Sequence, residues 1–323
     1  MPLPREMDLR MLIGLAVRTA ALSAPTSLTA SRPAVVVVPG FLYGSEDFVG
    51  LAEALRRRGV DATVAPIAWW HWIPCLGGRS VRPILERIQC AVDYASSADV
   101  VAVEAPAPAY SPLDLWRDFR QTPGGVMAVG GSADPDEFPD VAPCGGFGDA
   151  PPPRRACAIV GHSAAGWISR IFLSSRPYGG KAYGGSGGRV SKLVTLGSPH
   201  AASEGVAFAN VAWANREAAP VPALAVAGGG FGGATAESFT TDSYAFCGAP
   251  DAETCDGDGV TPVASALDLP GAETLLLEGA TLHAPQFPRW LAPQLHDAGV
   301  AGGTPWFGDD ARLDAWAPFL TDA

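Results

Sequence analysis

The chain has 323 residues, of which 48% are apolar and only 17% are charged, and its formal net charge is −11. This composition supports a large packed core and excludes an intrinsically disordered chain. The acidic balance argues against a nucleic-acid partner, because such binders neutralise phosphates with clustered Lys and Arg. No apolar run approaches the length of a membrane-spanning helix, so we expect one globular domain that is soluble or contacts a membrane only peripherally.

The first 33 residues are interpreted as an N-terminal extension. Four arginines stand there among Ser, Thr and Ala, a composition that loosely resembles an organelle transit peptide. Glu6 and Asp8 weaken that interpretation, and a cytoplasmic chain is the alternative. The folded domain is expected to span residues 34–323.

Strands alternate with helices along the rest of the chain, which predicts an α/β fold with a mostly parallel sheet flanked by helices. A β-branched run at 34–38 that ends in Pro39-Gly40 predicts a central strand buried on both faces. A helix is expected between Ser45 as its N-cap and Gly59 as its stop. Further strands are predicted at 62–67, 158–160, 192–196 and 274–277, and further helices at 80–95 and from 164.

The pattern changes between about residues 106 and 155, where clusters of Pro, Gly and Asp break any periodicity. We interpret this stretch as an insertion of about fifty residues, since loops of that length in compact domains are typically lids or binding loops. Two glycine-rich stretches, Gly179–Gly188 and Gly228–Gly233, are predicted to be flexible surface loops.

The segment CAIVGHSAAGW, residues 157–167, passes from an apolar strand through a turn of small residues into an apolar helix. This context is typical of a nucleophile elbow, in which a serine sits on a sharp strand-to-helix turn. Ser163 is therefore the candidate nucleophile. Gly161 and Ala165 provide the small neighbours that such a turn needs, although the glycine of the usual GxSxG pattern is delayed to Gly166.

A serine nucleophile needs a general base and an acid that orients the base. In folds with this elbow, the order along the chain is serine, acid, histidine. His283, in the loop after the predicted strand TLLLEG, is the candidate base. His200 is expected to line the pocket or make a structural hydrogen bond, and His296 to lie on an exposed helix.

The segment CDGDGVTP, residues 255–262, contains two carboxylates ahead of His283. Asp258 is the candidate acid and Asp256 is the fallback. Asp-Gly pairs also make tight turns without chemistry, which is one alternative. A calcium loop is another, but the further carboxylates of that motif are missing here.

Acyl transfer also needs N–H donors aimed at the developing oxyanion. The backbone N–H groups of Phe41 and Ala164 are predicted to supply them. The Trp69-Trp70-His71-Trp72 cluster either walls an apolar pocket or belongs to the core. The candidate pocket residues are Leu42, His162, His200 and Trp72, with a structural role as the alternative for His162.

Six cysteines show no CxxC spacing, so no metal site is expected. They are interpreted as reduced core thiols. Cys247 and Cys255 bracket a short acidic loop and leave open a local disulfide in an oxidising compartment.

These motifs resemble the plant and cyanobacterial plastid-type α/β-hydrolases that are similar to GPI inositol-deacylase-like lipases. The similar segments are PGFLYGS for the oxyanion loop, GHSAAGW for a GHSAGGW elbow, TLGSPH for the next strand end, GDGVTPV for the acid loop, LEGATLHAP for the histidine segment, and WFGDDARLDAW for a WYGS-type tail. The resemblance covers residue 34 to the C-terminus apart from the insertion. Ala165, where the family usually has Gly, is a departure.

The resemblance implies an α/β-hydrolase fold, a plastid setting, and a lipase or esterase reaction without a metal or other cofactor. The predicted function is hydrolysis of an ester of a hydrophobic acyl group or lipid, through a Ser-His-Asp triad and an acyl-enzyme. Acyl transfer to an alcohol or lipid acceptor is one alternative, and a non-catalytic binding protein on the same fold is the other.

Overall fold

The computed structural model describes residues 32–99, 101–107, 152–184, 188–201, 208–234 and 238–322. Six strands form one sheet in which every neighbouring pair is parallel, in the order β2-β1-β3-β4-β5-β6. The predicted α/β fold with a mostly parallel sheet is thus confirmed. The strands are β1 (Ala34–Val38), β2 (Asp61–Val64), β3 (Cys157–His162), β4 (Val190–Leu196), β5 (Ala223–Gly229) and β6 (Glu273–Ala280).

Helices cover both faces of this sheet. In the described ranges they are α1 (Val49–Arg57), α2 (Arg82–Ser97), α3 (Ala164–Leu173), α4 (Ala209–Ala214), α5 (Ser238–Phe246), α6 (Val263–Leu267), α7 (Pro293–Val300), α8 (Asp310–Trp316) and α9 (Pro318–Thr321). Single-turn and longer 3₁₀ segments precede α1 and α2, at Ser45–Phe48 and Trp69–Gly78.

The side chains of β1 alternate between two cores. Val36 and Val38 pack with α2, α3 and α4, whereas Val35 and Val37 pack with α1, α7, α8 and α9. All four valines are fully buried, and burying each one stabilises the fold by about 1.5–3 kcal/mol relative to leaving it in water. The run AVVVV is therefore a central strand because both of its faces are covered, as predicted.

The strand order reverses between β1 and β3. The chain moves outward from β1 to β2 and then crosses back to add β3 on the other side of β1. In doubly wound sheets, ligands bind outside the carboxyl ends of the strands at such a switch point, because the flanking loops diverge there. The loops that follow β1 and β3 contain Phe41 and Ser163.

The helix predicted after β1 is present, but its start differs from the prediction. Gly44 occupies the N-cap position of the 3₁₀ turn in place of Ser45, and the α-helical geometry begins only at Val49. Gly59 follows the helix end with a φ of 82°, which confirms its role as the stop.

Strand β5 was not predicted from the sequence, and Gly228–Gly233 was interpreted as a flexible loop. That prediction is wrong for Gly228 and Gly229, which lie in the buried strand. A Cβ on Gly228 would come within 2.9 Å of the Thr281 side chain, so the close approach of these two segments requires glycine. The strand consists of three alanines and two glycines beside Leu224 and Val226, a composition of low β-propensity that gives only a weak local signal.

Several predictions fall on residues that are not described. Residues 1–31 of the predicted N-terminal extension (1–33) lie outside the described residues. Residues 108–151 of the predicted insertion (106–155) lie outside them as well. In the described part of the chain, no helix combines the length and the apolar character needed to cross a membrane.

The described cysteines are all free thiols, and Cys144 lies outside the described residues. Cys247 and Cys255 are not joined, so the disulfide that the sequence left open is absent from this structure. Burial raises the pKa of the Cys157 and Cys247 thiols to about 12. These two side chains are core residues, as expected for reduced thiols.

Candidate active site

Ser163 occupies a strained turn between β3 and α3. Its backbone has a φ of 52° and a ψ of −129°, and Leu42 is the other described non-glycine residue with a positive φ. Such a conformation costs about 1–3 kcal/mol in an L-residue and persists only when its surroundings hold it. The Ser163 N–H donates to the carbonyl of Leu196 at 2.9 Å, and the Ser163 carbonyl accepts from the N–H of Gly166 at 2.9 Å. Hydrogen bonds to both the sheet and the helix thus hold the turn in this conformation.

Small residues make room for this turn. A Cβ on Gly161 would lie 2.8 Å from the carbonyl oxygen of Ala165, and a Cβ on Gly166 would collide with the side chain of Ser198. Ala165 itself is fully buried among core side chains. The glycine delayed to position 166 therefore serves packing between α3 and the loop after β4.

Asp258 and His283 form a buried acid–base pair. The Nδ1 of His283 lies 2.8 Å from Oδ2 of Asp258, and both side chains are almost completely buried. The other carboxylate oxygen, Oδ1, accepts from the N–H groups of Val260 at 3.0 Å and Thr261 at 2.7 Å. Because the carboxylate accepts the Nδ1 proton, Nε2 of His283 carries the lone pair that a general base needs.

Asp256, the fallback acid, has a different task. Its two carboxylate oxygens accept from the N–H of Gly230 at 2.9 and 3.1 Å. This pair of contacts ties the acid loop to the end of β5. The structure thus brings Asp258, and not Asp256, to His283.

The histidine loop lies against the elbow. Nε2 of His162, the residue before Ser163, lies 2.6 Å from the carbonyl oxygen of His283, and the two imidazole rings are 4.8 Å apart. Among the described contacts, no hydrogen bond joins Ser163 Oγ to the His283 ring. Bonds of this kind are often long before substrate binds and tighten in the Michaelis complex. Ser163 is half-buried.

The loop after β1 also lies against the elbow. A Cβ on Gly40 would lie 3.0 Å from the Cβ of Ser163, so the residue before Phe41 packs directly against the serine. Ala164 is the first residue of α3, where N–H groups have no acceptor within the helix. The residues that carry the two predicted oxyanion donors thus follow directly after Gly40 and Ser163, which meet at the ends of β1 and β3.

Three of the predicted pocket residues are not on a pocket surface. His162, His200 and Trp72 are at most 1% exposed. The indole N–H of Trp72 donates to the carbonyl of Tyr43 at 3.1 Å and so holds the loop after β1. Leu42 alone among the predicted pocket residues faces solvent, with 49% of its surface exposed.

His200 is part of a buried polar network. Its Nδ1 accepts from the guanidinium of Arg170 at 3.4 Å, so its Nε2–H donates to the hydroxyl of Thr195 at 3.1 Å. Burial and the nearby Arg170 lower the pKa of His200 to about 3. His200 is therefore neutral, and it fixes the loop after β4 to α3.

Other residues contribute contacts that the sequence analysis did not predict. The hydroxyl of Tyr43 donates to the carbonyl of Gln286 at 3.0 Å, which joins the loop after β1 to the loop that contains His283. Gly197 has a φ of 54°, and a Cβ there would lie 2.5 Å from Oδ2 of Asp258. Neither contact has a local sequence signal, because each joins segments distant in the chain.

Comparison of the chain with protein-family models and with curated proteins finds no match. Within the described ranges, no three His, Cys, Asp or Glu side chains are grouped to hold a metal ion. The interpretation of the site depends on its own geometry.

Proposed function

We propose that the protein is a serine hydrolase of the α/β-hydrolase fold, which cleaves a carboxylic ester of a hydrophobic acyl group or lipid. The observation that carries this proposal is the strained Ser163 next to His162, whose ring contacts the histidine of the buried Asp258–His283 pair. Glycine would adopt the same turn without strain. A serine kept there at a cost of about 1–3 kcal/mol favours a role for its hydroxyl.

The proposed reaction has two stages. In the first, Ser163 Oγ bonds to the acyl carbon while His283 Nε2 takes its proton, and the N–H groups of Phe41 and Ala164 stabilise the oxyanion, each by about 3 kcal/mol. His283 then gives the proton to the leaving alkoxide oxygen as the ester C–O bond breaks. In the second stage, His283 takes a proton from water as the water oxygen bonds to the acyl carbon. His283 then returns that proton to Ser163 Oγ as the bond between Oγ and the acyl carbon breaks, which releases the carboxylic acid. Asp258 stabilises the imidazolium throughout.

The residues around the serine favour an apolar acyl group. Phe41 and Leu42 on the oxyanion loop are 39% and 49% exposed. Trp69 is also exposed, on the 3₁₀ segment that packs against this loop through Trp72. Apolar side chains at the mouth of a site bind acyl chains by removing apolar surface from water. The formal charge of −11 disfavours an anionic ester.

The test is labelling with a fluorophosphonate probe, followed by hydrolysis of p-nitrophenyl esters of increasing acyl length. The wild type should be labelled and Ser163→Ala should not, with hydrolysis lost in parallel. Labelling that persists in Ser163→Ala would show that the nucleophile is another residue.

Asp258→Asn and Asp256→Asn form a matched pair. Asp258→Asn should lower kcat by about 10³–10⁴-fold, because the imidazole then takes the wrong tautomer. Asp256→Asn keeps an oxygen acceptor for the N–H of Gly230 and should change kcat only slightly. Equal losses in the two variants would contradict the assignment of Asp258.

A further inference from the structure

His162 is enclosed at the centre of the candidate site, although it faces no solvent. Its side chain is 0% exposed, and the rings of Tyr43, Phe48 and Trp306 lie around it at centroid distances of 5.1 to 6.1 Å. Nothing in the proposed reaction uses this ring directly. A histidine in such a position is costly to bury, so its polar atoms call for an explanation.

One polar atom of His162 holds the histidine loop. Nε2 lies 2.6 Å from the backbone oxygen of His283. Because a carbonyl oxygen only accepts, Nε2 carries the hydrogen and donates it. This bond links the last residue of β3 directly to the residue that bears the proposed base.

The other polar atom faces the oxyanion loop. Nδ1 of His162 has no hydrogen-bond partner among the described residues, and a Cβ on Gly40 would collide with it. Protonation would bury an unpaired N–H at this position. Burial, together with His283, lowers the pKa of His162 well below its usual value, so the ring is neutral.

We propose that His162 is a positioning residue: its Nε2–H bond to the His283 carbonyl and its contact with Gly40 set the distances from Ser163 to the imidazole and to the oxyanion loop. The inference rests on the proposed function, because the distances matter only if these groups react together. A displacement of reacting groups by about 1 Å can lower the rate by about 100-fold.

Two variants separate the hydrogen bond from the packing of the ring. His162→Phe keeps an aromatic ring among the same neighbours but removes the donor. His162→Gln loses the ring, yet its side-chain amide can place an N–H near the position of Nε2. The rate of fluorophosphonate labelling and the kcat and KM for one p-nitrophenyl ester are measured for both, with melting curves to verify folding.

His162→Phe should lower kcat and the labelling rate by about 100-fold with little change in KM, because misplaced groups slow the reaction more than binding. His162→Gln should recover most of that loss. An unchanged kcat in His162→Phe overturns the proposal. Equal losses of kcat in the two variants, in proportion to their loss of melting temperature, overturn it as well, since they would indicate packing alone.

A second measurement does not depend on activity. The Nδ1–H of His283, bonded to Asp258, should give a protected downfield proton resonance in the wild type. The resonance should broaden or disappear in His162→Phe and persist in His162→Gln. If the wild type shows no labelling or hydrolysis, the proposed function fails, and this resonance alone decides whether His162 holds His283. A resonance unaltered in His162→Phe overturns the positioning role.

Discussion

Replacing Ser163 by glycine should stabilise the fold while it removes the proposed nucleophile. The serine backbone, at a φ of 52° and a ψ of −129°, lies where non-glycine residues pay about 1–3 kcal/mol. Glycine avoids this strain but loses about 0.5–1 kcal/mol more conformational entropy on folding. The free energy of unfolding should therefore rise by about 1 kcal/mol, within a range of about 0–2.5 kcal/mol.

Ser163→Ala is the matched control for this change. Alanine also lacks the hydroxyl but keeps the Cβ, so the backbone strain stays. Urea unfolding at equilibrium measures both variants, and equal m-values would show that a difference between their midpoints is a difference in stability. A stability difference of about 1 kcal/mol corresponds to about 1.5–2 °C in Tm for a domain of this size. Neither variant should be labelled by a fluorophosphonate.

The opposite order of stabilities would refute this reasoning. At an unstrained position, glycine should be less stable than alanine by about 0.5–1 kcal/mol. If Ser163→Gly is less stable than Ser163→Ala by that amount, the turn stores no strain. The argument that the hydroxyl is kept at a structural cost would then fail.

Three further predictions concern the acid loop, the buried histidine and the exposed rim. Gly197→Ala should lower kcat by more than about 10-fold and stability by about 1–3 kcal/mol, because the new Cβ would lie 2.5 Å from Oδ2 of Asp258. Gly271→Ala is the control, because Gly271 also has a positive φ, of 77°, but has open space around it. It should lose stability without loss of kcat. Ester hydrolysis kinetics and urea unfolding are measured for both glycine variants. Because the pKa of His200 is about 3 when folded and near 6.5 when unfolded, the unfolded chain binds the proton first as pH falls. His200 should contribute up to about 1.4 kcal/mol per pH unit to a decline of stability below pH ~6.5, beside the contribution of buried His162. His200→Gln should make the decline shallower by its own share, and parallel pH curves of the two proteins in urea unfolding would contradict this. Leu42→Asn replaces the leucine by a polar residue that tolerates the positive φ. It should lower kcat/KM about 10-fold for esters of long acyl chains relative to acetate esters. An equal loss at every acyl length would exclude an acyl-binding role for Leu42.

The sequence by itself determined the elements whose signals are local. The β-branched run of β1, the small residues around Ser163 and the glycine stop of α1 depend on neighbours only a few residues away, so the chain predicts them without its fold. The parallel sheet follows from the alternation of strands and helices. The candidate serine, acid and histidine were predicted from the same local patterns and their order along the chain.

Only the tertiary structure decided which side chains meet. Asp256 and Asp258 look alike in sequence, but one contacts the N–H of Gly230 at the end of β5 and the other contacts His283. Whether a ring such as His200 lines a pocket or lies in the core depends on the segments that cover it. These segments lie far away in the chain, and the pattern within one segment does not predict which other segment it contacts in the folded protein.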